Sequence, residues 1–215
     1  MRDIAIVAGV RTPFGRAVKG ALKDTRPESY AAALIKELLK RVPQVKGGDV
    51  EDLVVGCAMP EGEQGLNIAR NVGVLSELPV EVAAVTVNRF CASGLQAIAQ
   101  AAGRICLGEN DIAIAGGVES MSLVPMGGNK MALHPDLAEK FPEIYAPMGI
   151  TAEKVAAKFG VTREQQDQFA YESHRKATAA WEAGRFRDEV LPVEAVSFDG
   201  AGKRTVATFA KDELV

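Results

Sequence analysis

The chain has 215 residues, 47% of them hydrophobic and 25% charged, with a net charge of −3 at pH 7. That balance supports a substantial core in one large domain or two small ones and argues against disorder. It also lacks the basic stripe of a nucleic-acid binder, and no apolar run is long enough to span a membrane.

Taken in chain order, "DIAIVAG" near the start is a short apolar run suited to a strand covered on both faces. After the turn-rich "RTPFGR" comes "TRPESYAAALIKELLKRV", in which Ala31, Leu34, Ile35, Leu38, Leu39 and Val42 form a helical stripe. Thr25, Pro27 and Glu28 supply its start signal. "DLVVGC" reads as the next strand, and "NIARNVGVLSEL" as a shorter helix stopped by Pro79. A strand over Ala83–Val87, a helix from Ser93 and a fourth strand in "DIAIAGG" follow. Strands alternating with helices predict an α/β fold with a mostly parallel sheet and covering helices.

The character shifts at Gly116. The next stretch carries Met121, Met126, Met131 and Met148 among several prolines, and a connection so long is functional or forms its own subdomain. Two helices are predicted after it. Thr151 opens the first, which closes near Gly160; Thr162 with Gln165 in capping-box spacing opens the second, which closes near Gly184. Phe169, Ala170, Ser173, Ala177, Ala180 and Trp181 share one face of the latter. "DEVLPVEAVSF" suits an edge strand, because Pro192 interrupts a central ladder. The division falls near Gly117: a sheet unit over 1–117, then a helical, loop-rich unit over 118–215.

The N-terminus lacks the apolar region and cleavage site of a secretory signal, and "KDELV" is no retention tag because Val215 follows. A cytoplasmic protein is the expectation. The three cysteines form no C-x-x-C pair, and the two histidines have no metal-motif neighbours, so a metal site has little support.

Cys91 stands at the joint between the third strand and the helix after it. Leu95, Ile98, Ala99, Ala102, Ile105 and Cys106 recur at helical spacing and Gly108 offers a stop, which predicts a largely buried helix. A cysteine at its start meets backbone N–H groups without intrahelical partners and the positive end of the macrodipole. Both favour thiolate over thiol. Ala92, Ser93 and Gly94 keep bulk low, leaving room for a carbonyl whose developing oxyanion those amides can hold. The competing reading is a small, inert core cysteine, and pattern alone leaves both open. Cys106 on the apolar face and Cys57 at a strand end read as packing residues. A nucleophile also needs a base. His134 and His174 have no sequence relation to Cys91 and read as surface residues.

The motifs "VRTPFGR", "PEGEQGLNIAR", "VNRFCASGLQAIA", "GGVESMS", "PMGITAEKVA", "REQQDQFAYESHRKA" and "GRFRDEVLPV" run along almost the whole chain. Together they resemble the thiolases, specifically 3-ketoacyl-CoA thiolases (acetyl-CoA acyltransferases). The resemblance implies a thiolase-like N-terminal domain plus part of a loop-rich insertion domain that covers CoA. It implies that Cys91 attacks a 3-ketoacyl-CoA, releases acetyl-CoA and holds the shortened acyl group until a second CoA collects it. The Cys91 N–H is then the expected oxyanion donor, and Met148 lies near the pantetheine channel. CoA is a co-substrate, no cofactor is permanently bound, and a homo-oligomer, dimer or tetramer, is expected. Pro147 stands where biosynthetic members carry histidine, which points to the degradative, broader-chain-length type.

Family members run to about twice this length. Their second half carries an Asn–His pair and a second catalytic cysteine, and no motif here matches either. The resemblance therefore implies an N-terminal half that is inactive alone. Arg16, Lys203 and Arg204 are basic candidates for the CoA phosphates, and each also reads as solvated surface. A non-catalytic CoA-ester or lipid-binding or assembly module, built on the Met-rich segment, is the alternative from another class. A biosynthetic acetyl-CoA C-acetyltransferase is the alternative within the family. A redox role for Cys91 has no resolving cysteine nearby.

Overall fold

A computed structural model describes residues 2–215. The chain forms two compact units: one runs up to Asn129 and resumes over Asp188–Leu214, and the other takes Lys130–Arg187. These units do not follow a single cut at Gly117, because residues 118–129 and the last segment pack with the sheet.

In the first unit, β1 (Asp52–Gly56) is the central strand of a three-stranded parallel sheet, with β2 (Ala83–Val87) on one side and β3 (Ala113–Gly117) on the other. All five residues of β1 are buried, as a strand covered on both faces requires. Their alternation sorts the core. Leu53 and Val55 pack with Tyr30 and Ile35 of α1 (Pro27–Arg41) and with Ile68 and Val72 of α2 (Ile68–Leu75). Val54 points the other way, against Ala97 and Ala101 of α3 (Ser93–Leu107). The expected α/β architecture, a parallel sheet with covering helices, is the observed one.

Several local expectations need correction. Residues 3–9 form no strand: Ile4, Ile6 and Val7 are exposed, and an apolar β-branched run becomes a strand only where a neighbouring ladder takes its hydrogen bonds. Helix α1 begins at Pro27 without a side-chain cap. The Thr25 hydroxyl accepts instead from the Val196 N–H at 2.9 Å, while Glu28 pairs with Arg26. Helix α3 starts at Ser93 and stops at Gly108 (φ 77°) as expected, but it is not largely buried. Only Ser93, Ala97 and Ala101 are buried, whereas Leu95 is 72% and Ile98 44% exposed. A helix apolar on several faces buries only the face its neighbours cover.

The last segment of this unit is an antiparallel hairpin, β4 (Val193–Phe198) with β5 (Arg204–Phe209). β4 begins one residue after Pro192, consistent with proline's exclusion from a central ladder. Val193, Ala195 and Phe209 join the core beside Tyr30. Arg11 ties the early loop to the end of the unit. Its guanidinium donates to both Asp212 carboxylate oxygens, at 2.8 and 3.1 Å, and to Glu189 at 2.7 Å. Burial works against the Arg11 charge, the two carboxylates outweigh it, and its pKa moves up.

The second unit holds α4 (Pro135–Lys140), α5 (Met148–Phe159) and α6 (Arg163–Glu182), and no residue in it is buried. α5 opens at Met148, three residues before the expected Thr151, whose hydroxyl donates back to the Pro147 carbonyl at 3.2 Å. α6 opens on the expected capping box. The Thr162 hydroxyl accepts from the Gln165 N–H and the Gln165 side chain accepts from the Thr162 N–H. Among the described residues no helix is long and apolar enough to cross a membrane.

Candidate active site

Five residues connect β2 to α3: Asn88, Arg89, Phe90, Cys91 and Ala92. Phe90 takes the left-handed conformation at φ 47°, unusual for a bulky side chain, so the turn must be held from outside. Ser93 does part of this. Buried at the first helical position, its hydroxyl accepts from the Arg89 N–H at 2.8 Å and donates to the Phe90 carbonyl at 2.6 Å. The Ala92 and Ser93 N–H groups donate to the Arg89 and Phe90 carbonyls, at 3.1 and 3.0 Å. Those two amides are thereby spent on the turn. The first intrahelical bond runs from the Gln96 N–H to the Ala92 carbonyl, 2.9 Å. Among the described residues, the Cys91, Gly94 and Leu95 N–H groups have no acceptor. They are the unpaired donors at the helix start.

Glycine makes the placement possible. A Cβ on Gly56 would run into the Ser93 backbone, and one on Gly117 would meet the Gly56 carbonyl and the Gly94 Cα at 3.4 Å. The start of α3 therefore sits directly on the carboxyl ends of β1 and β3. That edge of a parallel α/β sheet is where such folds bind their ligands.

Cys91 is the exposed thiol of the three. Cys57 is buried, and its thiol is pushed up from 9.0 to about 12, first by burial and next by the Glu119 carboxylate, whose Oε1 lies 3.9 Å from its Sγ. It is protonated and inert at neutral pH. Cys106 is half-buried on α3, its Sγ donating to the Arg2 carbonyl at 3.5 Å. Met148 opens α5 in the second unit with its side chain exposed, and His134 and His174 are exposed residues of that unit.

Sequence reasoning missed the polar groups that frame the turn. Asn88 accepts from the Phe90 N–H at 2.8 Å through Oδ1 and donates to the Ala58 carbonyl at 3.0 Å. Glu119, just after β3, accepts from the Ala58 N–H and from Gln64 Nε2, both at 2.7 Å. Gln64 is fully buried and also accepts from the Ser120 N–H. An asparagine two residues before a turn amide was the one available signal, since its side chain bonds backbone at that offset.

Comparison with known proteins supplies the family. The family described as "Thiolase, N-terminal domain" matches residues 4–215. A 3-ketoacyl-CoA thiolase of Bacillus subtilis (strain 168) is 55% identical over 194 residues, covering 90% of this chain and 49% of that protein. The 3-ketoacyl-CoA thiolase of Vibrio vulnificus (strain CMCP6) is 42% identical over 215 residues, 100% of this chain and 54% of its own length. That of Idiomarina loihiensis is 45% identical over 200 residues, 93% and 51% respectively. The chain spans about half the length of the curated relatives it matches. With a parallel sheet, a cysteine at its carboxyl edge and a match along almost every residue, the chain belongs to the thiolase family.

Proposed function

We propose that this chain is the nucleophile-bearing part of a thiolytic acyltransferase acting on 3-ketoacyl-CoA, with Cys91 as the nucleophile. The observation that supports this reading is the exposed Cys91 thiol two residues before the first residue of α3, in a turn where the Cys91, Gly94 and Leu95 amides are unpaired. The Cys91 thiolate adds to the 3-keto carbon, and the resulting oxyanion is met by the Cys91 N–H. Collapse breaks the bond between carbons 2 and 3. The departing two-carbon unit takes up a proton and leaves as acetyl-CoA, while the shortened acyl group stays on sulfur as a thioester. Attack by the thiol of a second CoA, which loses its proton, forms the new acyl-CoA and frees Cys91.

The proton transfers need an acid and a base. Neither His134 nor His174 matches the family's catalytic histidine motif, and no motif here matches its second cysteine. We place those groups outside these 215 residues, so this chain alone completes acylation slowly and thiolysis not at all. Met148 is assigned to the acyl-CoA channel on its motif, and CoA is a co-substrate with no permanent cofactor. The working enzyme is a homo-oligomer.

The test is to incubate the chain with a 3-ketoacyl-CoA labelled in the acyl portion and map adducts by mass spectrometry. Label on Cys91 is expected. Label confined to Cys57 or Cys106 overturns the assignment.

A further inference from the structure

The last backbone bonds at the carboxyl ends of the three parallel strands run from the Cys57 N–H to the Val87 carbonyl and from the Val118 N–H to the Gly56 carbonyl, both 3.0 Å. Beyond them the segments leaving β1, β2 and β3 are tied into one network by side chains. Glu119, after β3, holds the Ala58 N–H through Oε2 and the buried Gln64 through Oε1, both at 2.7 Å. Ala58, after β1, presents its carbonyl to Asn88 Nδ2 at 3.0 Å. Asn88, after β2, holds the Phe90 N–H through Oδ1 at 2.8 Å. Phe90 is the left-handed residue next to Cys91, and its side chain is 65% exposed, so side-chain packing does not fix that conformation. Ser93 grips the carbonyl of Phe90, and Asn88 alone grips its N–H.

We propose that Asn88 is a positioning residue for Cys91, with Glu119 as its remote anchor on the far strand. This rests on the reading of Cys91 as the nucleophile. Without the Asn88 bonds, Phe90 relaxes toward negative φ, and the Cys91 backbone and thiol turn away from their present place at the start of α3. The role is mechanical: Asn88 acts through the Phe90 amide and touches no reacting atom.

Two measurements on the full chain test it: hydrogen exchange of the Phe90 amide, and the ratio of iodoacetamide alkylation rates at Cys91 and Cys106. Asn88→Ala is expected to speed Phe90 exchange and lower the Cys91-to-Cys106 ratio by about fivefold, the equilibrium worth of one ordinary hydrogen bond. Asn88→Asp keeps the acceptor and is expected to restore Phe90 protection. Glu119→Gln is expected to lower the ratio in the same direction and by less. Asn67→Ala is the structural control. Asn67 bonds the Ala84 carbonyl and the Thr86 hydroxyl, so its loss lowers the melting temperature and leaves the ratio unchanged.

If Asn88→Ala lowers the melt as Asn67→Ala does but leaves exchange and ratio at their original values, Asn88 is merely structural and the proposal fails. Should Asn88→Ala not fold, unchanged Phe90 exchange and an unchanged ratio in Glu119→Gln have the same force. A shifted ratio in a chain that takes no acyl group from 3-ketoacyl-CoA leaves the positioning role standing and sinks the catalytic reading instead.

Discussion

Gly56 lies so close beneath the Ser93 backbone that no Cβ fits between them. The contact joins the last residue of the central strand to the first residue of the helix behind Cys91. Gly56→Ala is therefore expected to push the start of α3 off the sheet. The obstruction is backbone, which yields less readily than a flexible side chain, so the cost is at least the ~1–3 kcal/mol typical of overpacking. Urea unfolding followed by circular dichroism reads it, and an unchanged midpoint would show that the approach is looser than described.

Asp212 holds Arg11 with both carboxylate oxygens, and its side chain is only 8% exposed against 25% for Arg11. Asp212→Ala leaves a guanidinium in a partly buried position with Glu189 as its remaining carboxylate. A fully buried pair broken this way costs about 3–5 kcal/mol, and the residual exposure of Arg11 lowers the expectation to about 2 kcal/mol. The Phe14 N–H loses its acceptor in the same variant. Asp212→Asn keeps the acceptor oxygen and is expected to lose less.

Alkaline stability carries a signature of Cys57. Its thiol ionises near 9.0 when the chain is unfolded and at about 12 in the fold, because burial and Glu119 oppose the thiolate. Between those values the native state holds a proton that the unfolded chain has released, so stability falls as pH rises from 9 to 12. Tyr30, also raised by burial, adds a slope of the same sign above pH 10. Cys57→Ala is expected to flatten part of the decline, measured as the urea midpoint at pH 8 and at pH 11. An unchanged slope would mean that the Cys57 thiol is less shielded.

Leu95 and Ile98 expose apolar surface on the outer side of α3, at 72% and 44% exposure. Such a face invites self-association. The chain is expected to associate at micromolar concentration in light scattering, and Leu95→Lys with Ile98→Glu to reduce that association. Neither side chain is buried, so the stability change stays within about 0.5 kcal/mol for each. A monomer with a cooperative melt before any substitution would count against this.

Thr162 closes the capping box of α6 through the Gln165 amide. Thr162→Ala is expected to cost about 1 kcal/mol of helix stability. Because no residue of that unit is buried, little packing masks the loss, and faster amide exchange in the first turn of α6 is the readout.

Where local chemistry sets a boundary, the sequence was legible. Val87 and Ser93 were identified as the last strand residue and first helix residue around Cys91, and Gly108, Gly160, Thr162 and Gln165 act as written. Where a boundary depends on a partner, it was not. Thr25 carried a cap signal but bonds Val196, from a hairpin 171 residues away in sequence. The second strand of that hairpin, Arg204–Phe209, went unread although its Thr, Val and Phe residues favour extended backbone.

The residues of this chain determined by themselves the strand–helix alternation, the position of Cys91 at a joint, and the family motifs, because each follows from neighbours within a few positions. Only the tertiary structure decided which thiol is open, which amides at the helix start remain unpaired, and which face of α3 is covered. Those depend on backbone approach between distant segments: Gly56 under Ser93, Ala58 against Asn88, and Glu119 across to both Ala58 and Gln64. No local periodicity encodes such distances, since they arise when three parallel strands end side by side and their loops must share the remaining hydrogen bonds.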